Sequence, residues 1–375
     1  MRGNPTMAFR QLVFLVHGIG VHQKDWEQEF TTAINQAYDQ YPNLKEVPID
    51  ERFEFVALGY DQIFRELVET WANNAAIITN LGADLGQPVT TKLVKWLQNA
   101  GELKNNPVWT HAVDALLYRG IRLVREHVCT KIAANMIEAI TAQHKEHGRS
   151  LWSVVAHSLG TAVVHDTLAR VMAPNATWPG KIAFSAENEQ ANVVLMVANV
   201  SKLLEIKTAD EPYDAYGRME NGLLTPTVAP GFAGQPGRIC RYYLNARHKL
   251  DPITLPKMFA PQQWPDEAAL KAVPSRYQFI EVDHLHQANT HDFGHYLKHP
   301  KVHVPLLRAL VSPAHIPEPE YQQKLAAFAE FGPLGHDAAV KLRQKLLDIL
   351  PAVSDDWLIL GALWADIAKA TGVKL

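Results

Sequence analysis

The sequence predicts an α/β protein: a mostly parallel central sheet flanked by helices, with a helical cap insertion and a C-terminal helical extension. Three observations carry this. Short apolar runs alternate with longer helical patterns, which implies parallel strands covered on both faces. One run, Leu12–Val16 (LVFLV), is continuously apolar, as a strand buried on both faces requires. At Leu151–Val171, LWSVVAHSLGTAVVHDTLARV, a strand pattern turns into a helix pattern across a single serine.

Taken in order, Leu12–Val16 is the first strand and Asp25–Gln40 reads as a helix. Phe53–Leu58 is a second strand. From Asp61 to about His147 the pattern is helical, with breaks at Gly82, Gly86-Gln87-Pro88 and Asn105-Asn106-Pro107. Arg149–Ala156 is the third strand and Leu159–Met172 its helix. Asn192–Asn199, Arg238–Asn245 and Tyr277–Asp283 supply three more strands. Gly222–Gly237, rich in Gly and Pro, reads as loop, and a helix is expected from about Asp292. Pro313–Pro319 reads as a linker. Three helical patterns follow it, the last apolar around most of its circumference, as suits burial against the main domain or a partner subunit.

Composition narrows the function classes. The 375 residues are 47% hydrophobic, enough for a sizeable core, and the net charge is −3 with both signs interspersed. No basic stripe points to nucleic acid. The two cysteines, Cys129 and Cys240, are far apart and form neither a metal spacing nor a disulfide framework, which suits a reducing compartment. The first apolar run ends at His17-Gly18 without a small-residue cleavage site, so it reads as a strand and not as a signal peptide. No run has the length of a membrane span. A cytoplasmic protein is expected.

The serine is the informative residue. A nucleophilic hydroxyl must stand above a sheet, beside a helix N-terminus, on a backbone that turns sharply. Small residues two before and two after it permit the close approach of strand and helix. Here they are Ala156 and Gly160 around Ser158. The Leu159 N–H then points at the space above the hydroxyl, where it can hold a developing oxyanion. A plain tight turn with an N-cap serine is the blander alternative. Upstream, His17-Gly18-Ile19-Gly20 ends a buried strand in a glycine-rich turn, and Ile19 N–H is the expected second oxyanion donor.

With VFLVHGIG and VVAHSLGTAVVHD in place, residues 10–312 resemble the α/β-hydrolase superfamily, and within it the intracellular lipase- and esterase-like serine hydrolases. Ala156 stands where glycine is commonest. The stretch between the second and third strands exceeds one crossover helix, so Asp61–Asn106 is expected to form a helical cap. The domain organisation implied is a hydrolase domain over 8–312, with 61–106 as the cap, and an extension over 313–375.

The resemblance implies the chain order serine, acid, histidine. Asp251, in RYYLNARHKLDPIT, is the expected acid, preferred over Asp210 because its strand is immediately adjacent. Six histidines crowd the stretch after the last strand: His284, His286, His291, His295, His299 and His303. His291, at the end of the loop before the helix, is the expected base, with His286 its nearest rival. His291, His295 and His299 share a four-residue spacing that can bind zinc, but no H-E-x-x-H glutamate follows and no cysteine is near. No metal and no cofactor are therefore expected, and His295, His299 and His303 read as partly solvated helix residues.

The implied chemistry is cleavage of a carboxylic ester, in a small molecule or a lipid, through an acyl-enzyme on Ser158. Met258, Phe259 and Trp264 are candidates for the acyl pocket; loop anchoring explains them equally well. Phospholipase, thioesterase and amidase activities share the same triad, and an inactive binding protein on the fold is the alternative from another class. Trp71, Ile77-Ile78 and Trp96 in the cap offer a transient membrane contact, with packing on the core as the preferred reading.

Overall fold

Strand β1 (Gln11–Val16) is buried along its whole length, and its residues face two different cores. Leu12, Phe14 and Val16 meet one helical layer, while Val13 and Leu15 meet the other. That alternation follows from the two-residue period of a strand. The computed structural model describes residues 9–18, 25–64, 66, 118, 122–172, 189–201, 219–220, 223–224, 227–230, 238–251, 253–254, 259, 276–287, 289–332, 335–337, 340–341 and 343–344.

Around β1 stand β2 (Phe53–Ala57), β3 (Trp152–His157), β4 (Ala191–Val197), β7 (Thr227–Pro230), β8 (Arg238–His248) and β9 (Tyr277–Val282). The order is β2-β1-β3-β4-β8, and β7 and β9 follow one another along the far side of β8. Every pairing in this sheet is parallel. A separate antiparallel pair joins β5 (Met219–Glu220) and β6 (Leu223–Leu224).

One face carries α4 (Arg122–His147) and α5 (Leu159–Val171). In α4 the buried residues Val124, Val128, Ile132, Met136 and Ile140 recur every four positions, which makes one apolar stripe. The other face carries α1 (Glu27–Tyr38), α6 (Phe293–Lys298) and α7 (Pro300–Leu310). Phe30 of α1 stacks on Phe293 of α6 with ring centroids 3.9 Å apart. The one-turn helices α2 (Pro42–Lys45) and α3 (Ile49–Arg52) join α1 to β2. Beyond a 3-10 turn, α8 (Glu318–Ala327) packs on α7, and Arg308 ties the two through Glu318 at 2.9 Å.

Several boundaries differ from the sequence reading. The Gly222–Gly237 stretch contains β7, because Thr227-Val228 suit a strand and Pro230 is tolerated on an edge. The third strand starts at Trp152, and β8 runs on to His248 because β9 pairs with it through Tyr243–His248. Asp251 is thus three residues past its strand. The helix expected from Asp292 is two helices. Pro300 has no N–H to continue α6, and His299 closes α6 while its ring accepts Lys301 N–H at the start of α7. Most of the stretch assigned to the cap, beyond Glu66, and the last helical pattern lie outside the described residues. Among those described, no helix is long and apolar enough to cross a membrane.

Candidate active site

The chain leaves β1 for β2 on one side and later returns to place β3 on the other. Strand order therefore reverses between β1 and β3, the position where open parallel sheets bind ligands beyond their C-terminal ends. Gly18 follows β1 there, and Ser158 follows β3.

Ser158 occupies φ 54°, ψ −127°, a conformation that is costly for any residue with a side chain, by about 1–3 kcal/mol. Its surroundings enforce it. Ser158 N–H donates to Val197 O at 3.0 Å. Its carbonyl accepts from Thr161 N–H at 2.9 Å and from Thr161 Oγ1 at 2.6 Å. Thr161 Oγ1 in turn accepts Val200 N–H at 3.0 Å. Two glycines give the turn its room. A Cβ on Gly160 would lie 2.3 Å from the His17 carbonyl, and one on Gly18 would lie 2.7 Å from Ser158 Cβ. Helix α5 can start against the end of β1 only because Gly160 is bare.

Three sequence-predicted residues come together. His291 Nε2 lies 2.8 Å from Ser158 Oγ, and His291 Nδ1 lies 2.8 Å from Asp251 Oδ2. Ser158 and Asp251 are buried, and the His291 ring keeps an edge to the outside. Both oxygens of Asp251 are held. Tyr296 OH donates to Oδ2 at 2.8 Å and Ile253 N–H donates to Oδ1 at 3.0 Å. Burial by itself raises the Asp251 carboxyl. The facing His291 charge, the His291 and Tyr296 hydrogen bonds and the Ile253 N–H outweigh it and leave the group below its ordinary range. Asp251 is therefore an anion at neutral pH.

Leu159 is the first residue of α5, so its N–H has no partner within the helix and lies beside the serine. Across from it, the His17-Gly18 turn is fixed by Tyr60, whose hydroxyl lies 2.9 Å from His17 O and 3.0 Å from Gly18 O. Ile19, Met258, Trp264, Asp210, Trp71, Ile77, Ile78 and Trp96 lie outside the described residues. Phe259 is buried in the core on the α4–α5 face, 5.5 Å from the Tyr243 ring and stacked on it, so it anchors the loop after Asp251.

The rival histidines are engaged elsewhere. His286 Nε2 lies 2.5 Å from Ala329 O, under the stretch that follows α8. His295 and His303 are fully buried, which corrects the expectation that they are solvated; only His299 is half-buried. The cause is that α6 and α7 pack on the α1 face of the sheet, so their inner faces point into the core. His291 itself precedes α6 and does not share a helix face with His295 and His299.

Two residues bonded to the Ser158–His291–Asp251 line escaped the sequence reading. Tyr296 is one, and its signal was a tyrosine one turn into the helix after the base. His157 is the other. Its Nε2 lies 2.7 Å from the His291 carbonyl oxygen, which fixes the ring as an Nε2–H donor. It sits beside the serine in sequence, but nothing in the sequence says which backbone it will reach.

No model of a known protein family matches the chain, and no curated protein matches it significantly.

Proposed function

We propose that the chain is a serine hydrolase of the α/β-hydrolase type that cleaves carboxylic esters through an acyl-enzyme. The observation that carries this is the continuous hydrogen-bonded line Ser158 Oγ–His291–Asp251, with both links at 2.8 Å, on a strained strand-to-helix turn. An N-cap serine would need neither the strain nor the imidazole. Indeed Ser158 makes no side-chain cap bond to α5.

In this reading His291 Nε2 accepts the Ser158 proton as Oγ attacks the ester carbonyl. The carbonyl π pair moves onto oxygen, where the Leu159 N–H and the positive end of α5 stabilise it. Asp251 holds the tautomer with hydrogen on Nδ1 and stabilises the imidazolium. Collapse of the tetrahedral adduct expels the alkoxide, which takes the proton from His291 Nε2. Water, deprotonated by the same nitrogen, then attacks the acyl-serine; the bond to Ser158 Oγ breaks, Oγ takes the proton back from His291 Nε2, and the carboxylic acid leaves.

The test is a fluorophosphonate probe followed by peptide mass spectrometry, alongside a series of p-nitrophenyl esters of graded chain length. Modification confined to Ser158, with turnover of at least one ester abolished in Ser158→Ala, is the expected result. An unlabelled chain with no turnover across the series would overturn the reading.

A further inference from the structure

Three histidines that acyl transfer does not use meet beneath the acid and the base. His248 ends β8, His284 lies two residues past β9, and His295 is in α6. All three are buried, at 0%, 1% and 0% exposure. The His284 and His295 rings stack at 4.2 Å, and the His248 ring lies 5.2 Å from His295 and 5.4 Å from His284. Each offers one ring nitrogen, and these nitrogens all lie within 4.8 Å of one another.

The hydrogen bonds of His248 and His284 put their lone pairs on Nδ1. His248 Nε2–H donates to the His284 carbonyl at 2.7 Å, and His284 Nε2–H donates to the His295 carbonyl at 2.9 Å. A neutral imidazole with hydrogen on Nε2 keeps its lone pair on Nδ1. His284 Nδ1 is buried without a hydrogen-bond partner, and so is His295 Nδ1. A buried polar atom left unpaired costs about 1–3 kcal/mol, so two in one cluster call for an occupant. Among the described residues, two N–H···N contacts compete for the cluster and are given up on binding: Leu250 N–H to His248 Nδ1 at 3.1 Å, and His286 N–H to His295 Nε2 at 3.2 Å, which leaves the hydrogen of His295 on Nδ1 until the tautomer switches.

We propose that His248, His284 and His295 bind a first-row divalent transition metal of the zinc type, which fastens the loops carrying Asp251 and His291. Three imidazoles with no carboxylate suit zinc, cobalt, nickel or copper and not magnesium or calcium, which take oxygen ligands. His248 and His284 each offer one nitrogen while the other donates to a backbone carbonyl, the usual arrangement of a metal-bound histidine.

The structural effect follows from chain order. Metal–nitrogen bonds of about 2.0–2.1 Å in a tetrahedral shell place the nitrogens about 3.4 Å apart. Binding draws the end of β8, the β9–α6 loop and α6 together. Asp251 is three residues past His248, and His291 lies between His284 and His295. The metal touches no reacting atom and serves to position the acid and the base.

The full chain is stripped with chelator, desalted and titrated with Co2+. Visible ligand-field bands typical of a four-coordinate ion, saturating at one equivalent and displaced by Zn2+, are expected. X-ray absorption on the unmutated Co2+ protein should show three imidazole nitrogens at about 2.0–2.1 Å. His284→Gln should bind more than about a hundredfold more weakly, and His299→Gln should bind like the parent. Failure of the unmutated chain to take up the metal, an oxygen-dominated shell, or full affinity in folded His284→Gln each overturns the proposal. The absorption measurement decides the matter even where His284→Gln does not fold. None of these readouts needs a reactive Ser158, so the metal site and the hydrolase reading stand or fall separately.

Discussion

Tyr296 and Asp251 form a buried pair in which the phenol donates to Oδ2 at 2.8 Å, the same oxygen that faces His291 Nδ1. The Tyr296 hydroxyl oxygen also accepts His248 N–H at 2.9 Å. The acid is thereby fixed to the end of β8 from two directions. Removing the hydroxyl takes one of three donors from a buried anion. Tyr296→Phe should lower kcat by about ten- to a hundredfold with little change in KM, since a charge-assisted hydrogen bond contributes about 1.5–3 kcal/mol. Steady-state kinetics on a cleaved ester checks this. Unchanged kcat would mean that the tyrosine only fills space.

In the proposed hydrolase mechanism the base is His291, and variants separate it from its neighbours. His291→Ala should lower turnover by about three orders of magnitude or more, while His286→Ala stays near the parent value. His286 points at the Ala329 carbonyl and does not reach the serine. An inactive His286→Ala enzyme beside an active His291→Ala enzyme would move the base.

His157 should act on the base through its backbone. His157→Phe keeps a ring against Phe30 and Phe293 but loses the bond to the His291 carbonyl. A fall in kcat of about tenfold is expected, near the value of one hydrogen bond, with the unfolding midpoint little changed. If the variant loses stability and kcat stays at the parent value, His157 is a packing residue.

Gly160→Ala places a methyl 2.3 Å from a backbone carbonyl that cannot move aside. Helix α5 must withdraw from β1, and the Ser158 turn withdraws with it. A loss of about 1–3 kcal/mol or more in urea unfolding, together with lost probe labelling of Ser158, is expected. Parent-like labelling would show that the close approach is not required.

His303 contributes to the pH dependence of stability. Burial lowers it from 6.5 to about 4, more than the Leu297 carbonyl bond raises it. Its Nδ1–H donates to Leu297 O at 2.7 Å and its Nε2 accepts Tyr41 OH at 2.8 Å. The unfolded chain binds this proton near pH 6.5 and the folded chain only near 4, so between these values the unfolded state holds more protons. The stabilisation is complete above about pH 6.5 and is lost as pH falls through 4, with a total on the order of 3 kcal/mol. Urea titrations from pH 7 to 4 should show a shallower acid-side decline for His303→Gln than for the parent. Parallel declines would exclude His303 as a contributor.

Much of this was decided locally and could be read from the residues. Leu12–Val16 is apolar without a break, and only a strand covered on both faces has a use for that. Ala156, Ser158 and Gly160 carry the steric demand of a strand-to-helix turn in three positions, so the elbow was legible in the sequence. The order of Ser158, Asp251 and His291 along the chain was legible too. The register of β8 with β9 was not. It rests on pairing across the chain from Tyr243 to Tyr277, and it sets how far Asp251 stands from its strand. Nor could the sequence choose among six histidines by type, because an imidazole's role depends on which backbone and which side chains surround it. Packing of α6 and α7 on the sheet face turned His295 and His303 inward and left His291 at the serine. His248 met His284 and His295 only because parallel strands β8 and β9 end side by side. Local patterns fix which segments are strands and turns, since those depend on neighbours along the chain. The partners of a polar ring are fixed by segments far away in sequence, and only the closed tertiary structure brings those segments together.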